Sequence, residues 1–301
     1  MKTRNLSMLR KGKNFLIALI TRIPGLIEYR NKRKYRVEIA LINGKHHTRN
    51  QHPSILHFSI NKVATQYTKK ILQECAIADG MQPVHIHGYA FNTDYPFLDH
   101  LSEEEMKQYA HIFKPQGYLY SNFSGMIVGI PEFEKYRAFL IIRDPRDILV
   151  SQYYSHAYSH AIPSKNGNKY EIFVKTSLHT RSISIDEYVI AESDKTLKIF
   201  LRYQTLMLDV YPEVCVLSYE EMTENFPNWL DKLLACCELE VSHSLKNKLI
   251  EENQRSRPIQ ENIHSHVRQG KAGDYKNKLK PETIRYLDEK FAPVLNAFGY
   301  K

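Results

Sequence analysis

The run YRAFLII (residues 136–142), cut off by RDPRD, constrains the fold of this chain more than any other stretch. It is apolar enough to be a strand lying centrally in a sheet. Pro145 forces a turn, and residues 146–156 read as a helix. The same alternation recurs along the chain. ILHF and its neighbours (55–60) form a short apolar strand, and 64–78 read as a helix. PVHIHGY (83–89) alternates like a second strand, and SEEEMKQYAHIF (102–113) opens with a capping pattern, Ser102 followed by Glu105. GYLYS (117–121) and EVCVLSY (213–219) complete the strands. Residues 159–183, polar and broken by Pro163 and Gly167, read as a loop over the site. A long helix runs from about Ile185 to Asp209, and a last one fills 281–297. Strands alternating with helices imply one α/β domain with a central, mostly parallel sheet flanked by helices on both faces.

Charge divides the chain. The formal net charge is +9, yet residues 1–50 carry 13 Lys/Arg against 2 Asp/Glu, leaving the remainder nearly neutral. The expected organisation is a basic, partly apolar arm over residues 1–45 and a domain over 46–301. A neutral domain argues against nucleic acid as the partner. The arm's apolar stretch, Phe15–Ile20, is interrupted by Arg22 and Pro24, far short of the roughly 20 residues a spanning helix needs. Basic residues flanking Phe, Leu and Ile suit a helix on an anionic membrane surface, or an extension that partly packs on the domain. Cys75, Cys215, Cys236 and Cys237 form no C-x-x-C pair, so a reduced, cytoplasmic protein is the simplest expectation.

Three segments carry anchors for an anion. In SINKVATQY, Lys62 stands at the end of a strand and Thr65 in the first turn of the next helix, where free N–H groups favour negative charge. In FLIIRDPRDILVS, Arg143 ends a strand and Ser151 follows eight residues later on a helix; the guanidinium fork suits a phosphate. In HVRQGKAGDYKNKLK, glycines and cations interleave where helices pause, allowing close backbone approach to a phosphorylated ligand. Read singly, each also fits a solvated surface cluster, a reading weakened for Arg143 by the central strand that precedes it.

In this order the three resemble the sulfotransferases that use 3′-phosphoadenosine 5′-phosphosulfate. Lys62, Val63, Ala64, Thr65, Gln66 and Tyr67 fall on the last six positions of that family's P-K-S-G-T-T-W loop. Arg143 and Ser151 match its Arg…Ser pair, and Arg268, Gln269 and Gly270 open the counterpart of R-K-G-x-x-G-D-W-K-N. LSYEEM is similar to the strand that sets a tyrosine, here Tyr219, beside the adenine. The departures are Ala64 for glycine, Gln66 for threonine, Tyr67 for tryptophan and Gln269 for lysine.

The resemblance implies sulfuryl transfer to an acceptor hydroxyl by in-line displacement, without a metal, with Lys62 stabilising the leaving oxygen. The divergent first loop, the 159–183 insertion and the apolar-basic arm point to a lipid or glycolipid acceptor at a membrane, beside which a carbohydrate also fits. The resemblance also implies a base for the acceptor proton. GYLYSNFSG, where cytosolic relatives carry a histidine, has none, so the candidates are His87 and then His85, two apart and on one side of a strand. His156 and His160 form a second group beside Tyr154 and Tyr158. Two rival readings stand beside this one: a kinase-like phosphotransferase with a degenerate phosphate loop, and a membrane-peripheral nucleotide-binding protein without activity.

Overall fold

The computed structural model describes residues 24–159, 168–258, 260–265 and 268–300. Five parallel strands form one sheet: β1 (Ile55–Ser59), β2 (Gln82–Val84), β3 (Tyr118–Phe123), β4 (Arg137–Ile142) and β5 (Cys215–Ser218), in the order β2-β3-β1-β4-β5. Every residue of β1 and β3 is buried, as is all of β4 after Arg137, so both faces of the central strands are covered. The register pairs Ile55 with Arg137 and Ser59 with Ile141, which brings the carboxyl ends of β1 and β4 level.

The helices account for most of the remaining chain. Before the sheet come α1 (Pro24–Lys34) and α2 (Arg36–Ile42). Helix α3 (Thr65–Ala78) follows β1 and packs on β2 and β3; α4 (Ile86–Asn92) follows β2; α5 (Glu103–Met106) continues as a 3₁₀ turn over Lys107–Ile112. Helix α6 (Pro145–Tyr154) follows β4 and passes into a π turn, Ser155–Ser159. Next come α7 (Asn168–Ser182) and α8 (Ile185–Tyr203), the latter ending in a π turn over Gln204–Leu208. After β5 come α9 (Tyr219–Glu224), α10 (Phe226–Cys237), which packs on β4 and β5, α11 (His243–Ser256), α12 (Tyr275–Lys278) and α13 (Pro281–Ala297).

Local chemistry explains several of these starts. Ser102 and Ser184 each form a reciprocal cap with the glutamate three residues on, opening α5 and α8. Asp144 caps α6 with Pro145 at its first position.

Four expectations are corrected. The PVHIHGY strand ends at Val84 and turns into α4, because Ile86 and Ala90 supply a buried helical stripe. The 159–183 loop holds α7, whose start follows Gly167; Pro163 lies outside the described residues. Residues 24–43 are not wholly an arm: Tyr35, Val37 and Leu41 are buried, so the folded unit begins before residue 46, while residues 1–23 lie outside the described ones. Cys215 and Cys236 form a disulfide between β5 and α10, against the expectation of four reduced thiols. No helix among the described residues is long and apolar enough to cross a membrane.

Candidate active site

The connection leaving β1 runs toward β2 on one side of the sheet, and that leaving β4 runs toward β5 on the other. β1 and β4 are neighbours, so their carboxyl ends border a topological switch point, where ligands of open α/β sheets gather. Lys62 lies three residues beyond β1, and Arg143 immediately follows β4.

The loop after β1 takes a conformation more often supplied by glycine. Lys62 has φ 68° and Ala64 φ 59°, two left-handed residues within three. Ala64 gives α3 no side-chain cap, so the amino end of the helix stays open toward the cleft that Thr65 and Gln66 line. Lys62 Nζ donates to Ser155 Oγ at 2.6 Å. Burial, reinforced by the Arg143 charge, pushes this ammonium down to about 8.

Arg143 ties the anchors together. Its Nη1 donates to the Lys62 carbonyl (3.1 Å), and Nη2 to the Lys271 carbonyl (3.3 Å) and Asp147 (3.4 Å). The guanidinium carbon stands 4.2 Å over the Tyr219 ring, and Nε is buried without a partner, a donor in want of an oxygen. Arg146 is different. Asp144 and Asp288 occupy its fork, and it lies over Tyr275, so it holds the fold together.

Asp147, fully buried on α6, accepts from the backbone of Gly273 (2.7 Å) and Tyr275 (3.0 Å) and thereby fastens the glycine-containing loop beside Arg143. Arg268 in that loop pairs with Glu261 and Asp274 and stacks over Tyr154.

These segments enclose a cavity of about 380 Å³. Of the predicted site residues, it gathers Lys62, Ala64, Thr65, Gln66, Tyr67, Arg143, Ser151, Tyr219, Arg268, Gln269 and Gly270. Val63 is instead buried in the core, leaving only its backbone for a ligand. Four cations (Lys62, Arg143, Arg268 and Lys271) and no carboxylate line the cavity among the described residues. Such a wall fits a polyanion.

Neither His85 nor His87 lines it. The turn into α4 removes the period-two relation that would aim both rings one way. His85 Nδ1 donates to the Ser121 carbonyl (2.8 Å), so Nε2 accepts from Lys69 (2.5 Å). Both nitrogens are engaged, and burial and the Lys69 charge push the ring down to about 4. The His87 ring packs on Phe97 with Nδ1 4.0 Å from Asp99, whose carboxylate abuts Gly125. Burial lowers His87 and Asp99 opposes that shift.

The sequence reading missed Asn122 and Ser124, at and just beyond the end of β3, and Ser155 and Ser159 on the π turn; all four line the cavity. The missed signal was the position of SNFSG at the end of a strand. Tyr154 lines the cavity too, whereas His156 Nδ1 is hydrogen-bonded to the Tyr188 hydroxyl and His160 lies outside the described residues.

Comparison with known proteins places residues 132–299 in a match to the family model described as a sulfotransferase domain. Cytosolic sulfotransferase 17 of Arabidopsis thaliana is 26% identical over 163 residues, 49% of this chain and 46% of that protein, so the chain matches about half of that relative's length. Mouse sulfotransferase SULT7A1, solved with PAP, is 17% identical over 87% of this chain and 88% of that chain, with a TM-score of 0.43. Retinol dehydratase, solved with retinol and PAP, is 14% identical over 85% and 84%, with a TM-score of 0.44.

Proposed function

The chain belongs to the sulfotransferase domain family, and on that premise we propose that it transfers a sulfuryl group from 3′-phosphoadenosine 5′-phosphosulfate to an acceptor hydroxyl. The observation that carries this reading is the meeting of three distant segments around one cavity that, among the described residues, is lined by four cations and no carboxylate, with Arg143 Nε buried and unpartnered.

The donor supplies an activated sulfur–oxygen bond. The acceptor oxygen bonds to sulfur as the bridging oxygen departs with the 5′-phosphate, in line with the attack. Lys62 turns from Ser155 to the bridging oxygen and offsets the charge that builds there. The open end of α3 and Thr65 hold the 5′ group, while Arg143, Ser151 and the loop at Arg268–Gly270 hold the 3′-phosphate. Tyr219, stacked on Arg143, borders the adenine. We assign the acceptor proton to His87 on the family resemblance alone, since the ring lies outside the cavity lining; Asp99 stands 4.0 Å from its Nδ1. The exposed Leu26 and Tyr29 of α1, beside Arg30, Lys32 and Arg33, support contact between the arm and an anionic surface.

Calorimetric titration of the full chain with 3′-phosphoadenosine 5′-phosphate, without metal, tests the donor. Wild type should bind. Arg143→Ala should bind about 10- to 100-fold more weakly, the range of a lost charge-assisted pair. Lys62→Ala should also bind more weakly than wild type, because the former bridging oxygen remains on the 5′-phosphate of this product and Lys62 lines the same cavity. No binding by folded wild type, or undiminished binding by R143A, sinks the assignment.

A further inference from the structure

We propose that the acceptor is a neutral, polyhydroxylated compound of the sugar class, and that Asn122 receives one of its hydroxyls. This rests on the sulfotransferase reading above. Six cavity-lining residues lie outside the segments assigned to the nucleotide: Asn61, Asn122, Ser124, Tyr154, Ser155 and Ser159, with Lys271 belonging to the glycine-containing loop. Among the described residues, five of the six are asparagine or serine, and Tyr154 adds an aromatic ring with a hydroxyl. A pocket for an apolar alcohol is lined mainly by aliphatic and aromatic groups, with few polar ones.

Asn122 makes the demand specific. The residue is 3% exposed, and its Oδ1 is buried without a hydrogen-bond partner. A carbonyl oxygen in that condition needs an O–H or N–H donor. It stands near the end of β3, the hydrogen-bonded neighbour of β1, and adjacent strands lie about 4.8 Å apart. Lys62 belongs to the loop that leaves β1, and it lines the same cavity as Asn122. A simple alcohol brings one hydroxyl, which is the nucleophile, and leaves Asn122 Oδ1 unpaired against its alkyl chain. A sugar brings the nucleophile and neighbouring hydroxyls for Asn122 and Ser124. The carboxamide oxygen is too weak a base to keep a proton, so Asn122 orients the acceptor and leaves the bond-making balance unchanged. No carboxylate among the described residues lines this end to select a cationic amino sugar.

The test uses radiolabelled donor and probes that share one tail: octyl β-D-glucopyranoside, octyl β-D-galactopyranoside and 1-octanol, with p-nitrophenol as an aromatic alternative. Label should enter at least one glycoside about tenfold or more faster than octanol or p-nitrophenol at equal concentration, the factor expected when a buried acceptor is satisfied rather than stranded. N122A should lower that transfer about tenfold or more while affinity for 3′-phosphoadenosine 5′-phosphate stays within about twofold. N122S and S124A, milder changes, should lower it less and keep the same nucleotide affinity. Octanol or p-nitrophenol labelled as fast as the glycosides, no probe labelled, or N122A as active as wild type would each overturn the proposal. Nucleotide affinity, measured on the same preparations, separates these outcomes from failure of the donor assignment, in which wild type binds no nucleotide.

Discussion

Asp147 offers the sharpest test of how the site is built. Its carboxylate is fully buried and accepts from two loop amides, Gly273 at 2.7 Å and Tyr275 at 3.0 Å, with Arg143 Nη2 at 3.4 Å. Asp147→Asn preserves volume, removes the charge and turns an N–H₂ toward groups that are all donors. One amide loses its acceptor, at about 1–3 kcal/mol, and Arg143 loses its buried counter-charge, for a total near 3–5 kcal/mol. The loop that carries Arg268 to Lys271 is then held less firmly, so affinity for 3′-phosphoadenosine 5′-phosphate should fall about tenfold. Urea denaturation and calorimetry on the same samples measure both effects. Asp288→Asn is the control: that carboxylate also pairs with an α6 arginine, but it is 44% exposed, and its loss should cost under about 1 kcal/mol. If D147N matches D288N in stability and in nucleotide affinity, the idea that Asp147 organises the loop is refuted.

Four further outcomes follow from the same structure. His57 is fully buried, stacked on Phe139 at 4.8 Å, with both ring nitrogens unpartnered, and burial pushes it down to about 3. Unfolding lets it take up a proton, so its contribution is complete above about pH 6.5 and is lost as pH falls toward 3; His57→Phe should flatten the loss of stability between pH 6.5 and 4 in urea titrations, and an unchanged slope counts against this. His87→Ala should abolish most transfer to the octyl glycoside that wild type labels. Asp99→Asn, by removing the charge that raises His87, should move the acid limb of its kcat/KM profile to lower pH, and a limb that stays in place removes Asp99 from the scheme. The Cys215–Cys236 bridge closes a loop of 21 residues, worth up to about 3 kcal/mol by loop entropy; reductant should lower wild-type stability by about that amount and leave the C215A/C236A double variant unmoved.

The parts of the fold legible in the sequence are those fixed by local chemistry. Helix α13 begins at Pro281 and runs to Ala297 as expected, and β4 covers all but the first residue of the apolar run that suggested it. Residues 83–89 were misread because two periods fit seven residues: Val84, Ile86 and Gly88 alternate, while Ile86 and Ala90 share a helical face. Only a tertiary contact decides between them. A Cβ on Gly88 would sit 2.5 Å from the His85 ring, so glycine there lets the turn into α4 close around His85. The pairing of Cys215 with Cys236 likewise depends on α10 packing beside β5, which spacing alone does not reveal.

Arg143 and Arg146 show what the sheet adds. In RDPRD they are equivalent cations, each next to an aspartate. Three positions apart, one directly follows β4 at the switch point with Nε unpartnered, and the other has its fork filled by Asp144 and Asp288. Strand order makes that distinction, and strand order is a long-range property. The loop after β1 carries the complementary lesson. Left-handed conformations at Lys62 and Ala64 cost on the order of 1–2 kcal/mol each relative to glycine-like freedom. An ordinary surface turn would relax such strain or recruit glycine. Here the strained turn leaves the end of α3 uncapped, sets Lys62 within reach of Ser155 and offers its carbonyl to Arg143. Ala64 therefore takes a left-handed backbone without being glycine, sustained by the packed strands β1 and β4 on which the loop is mounted.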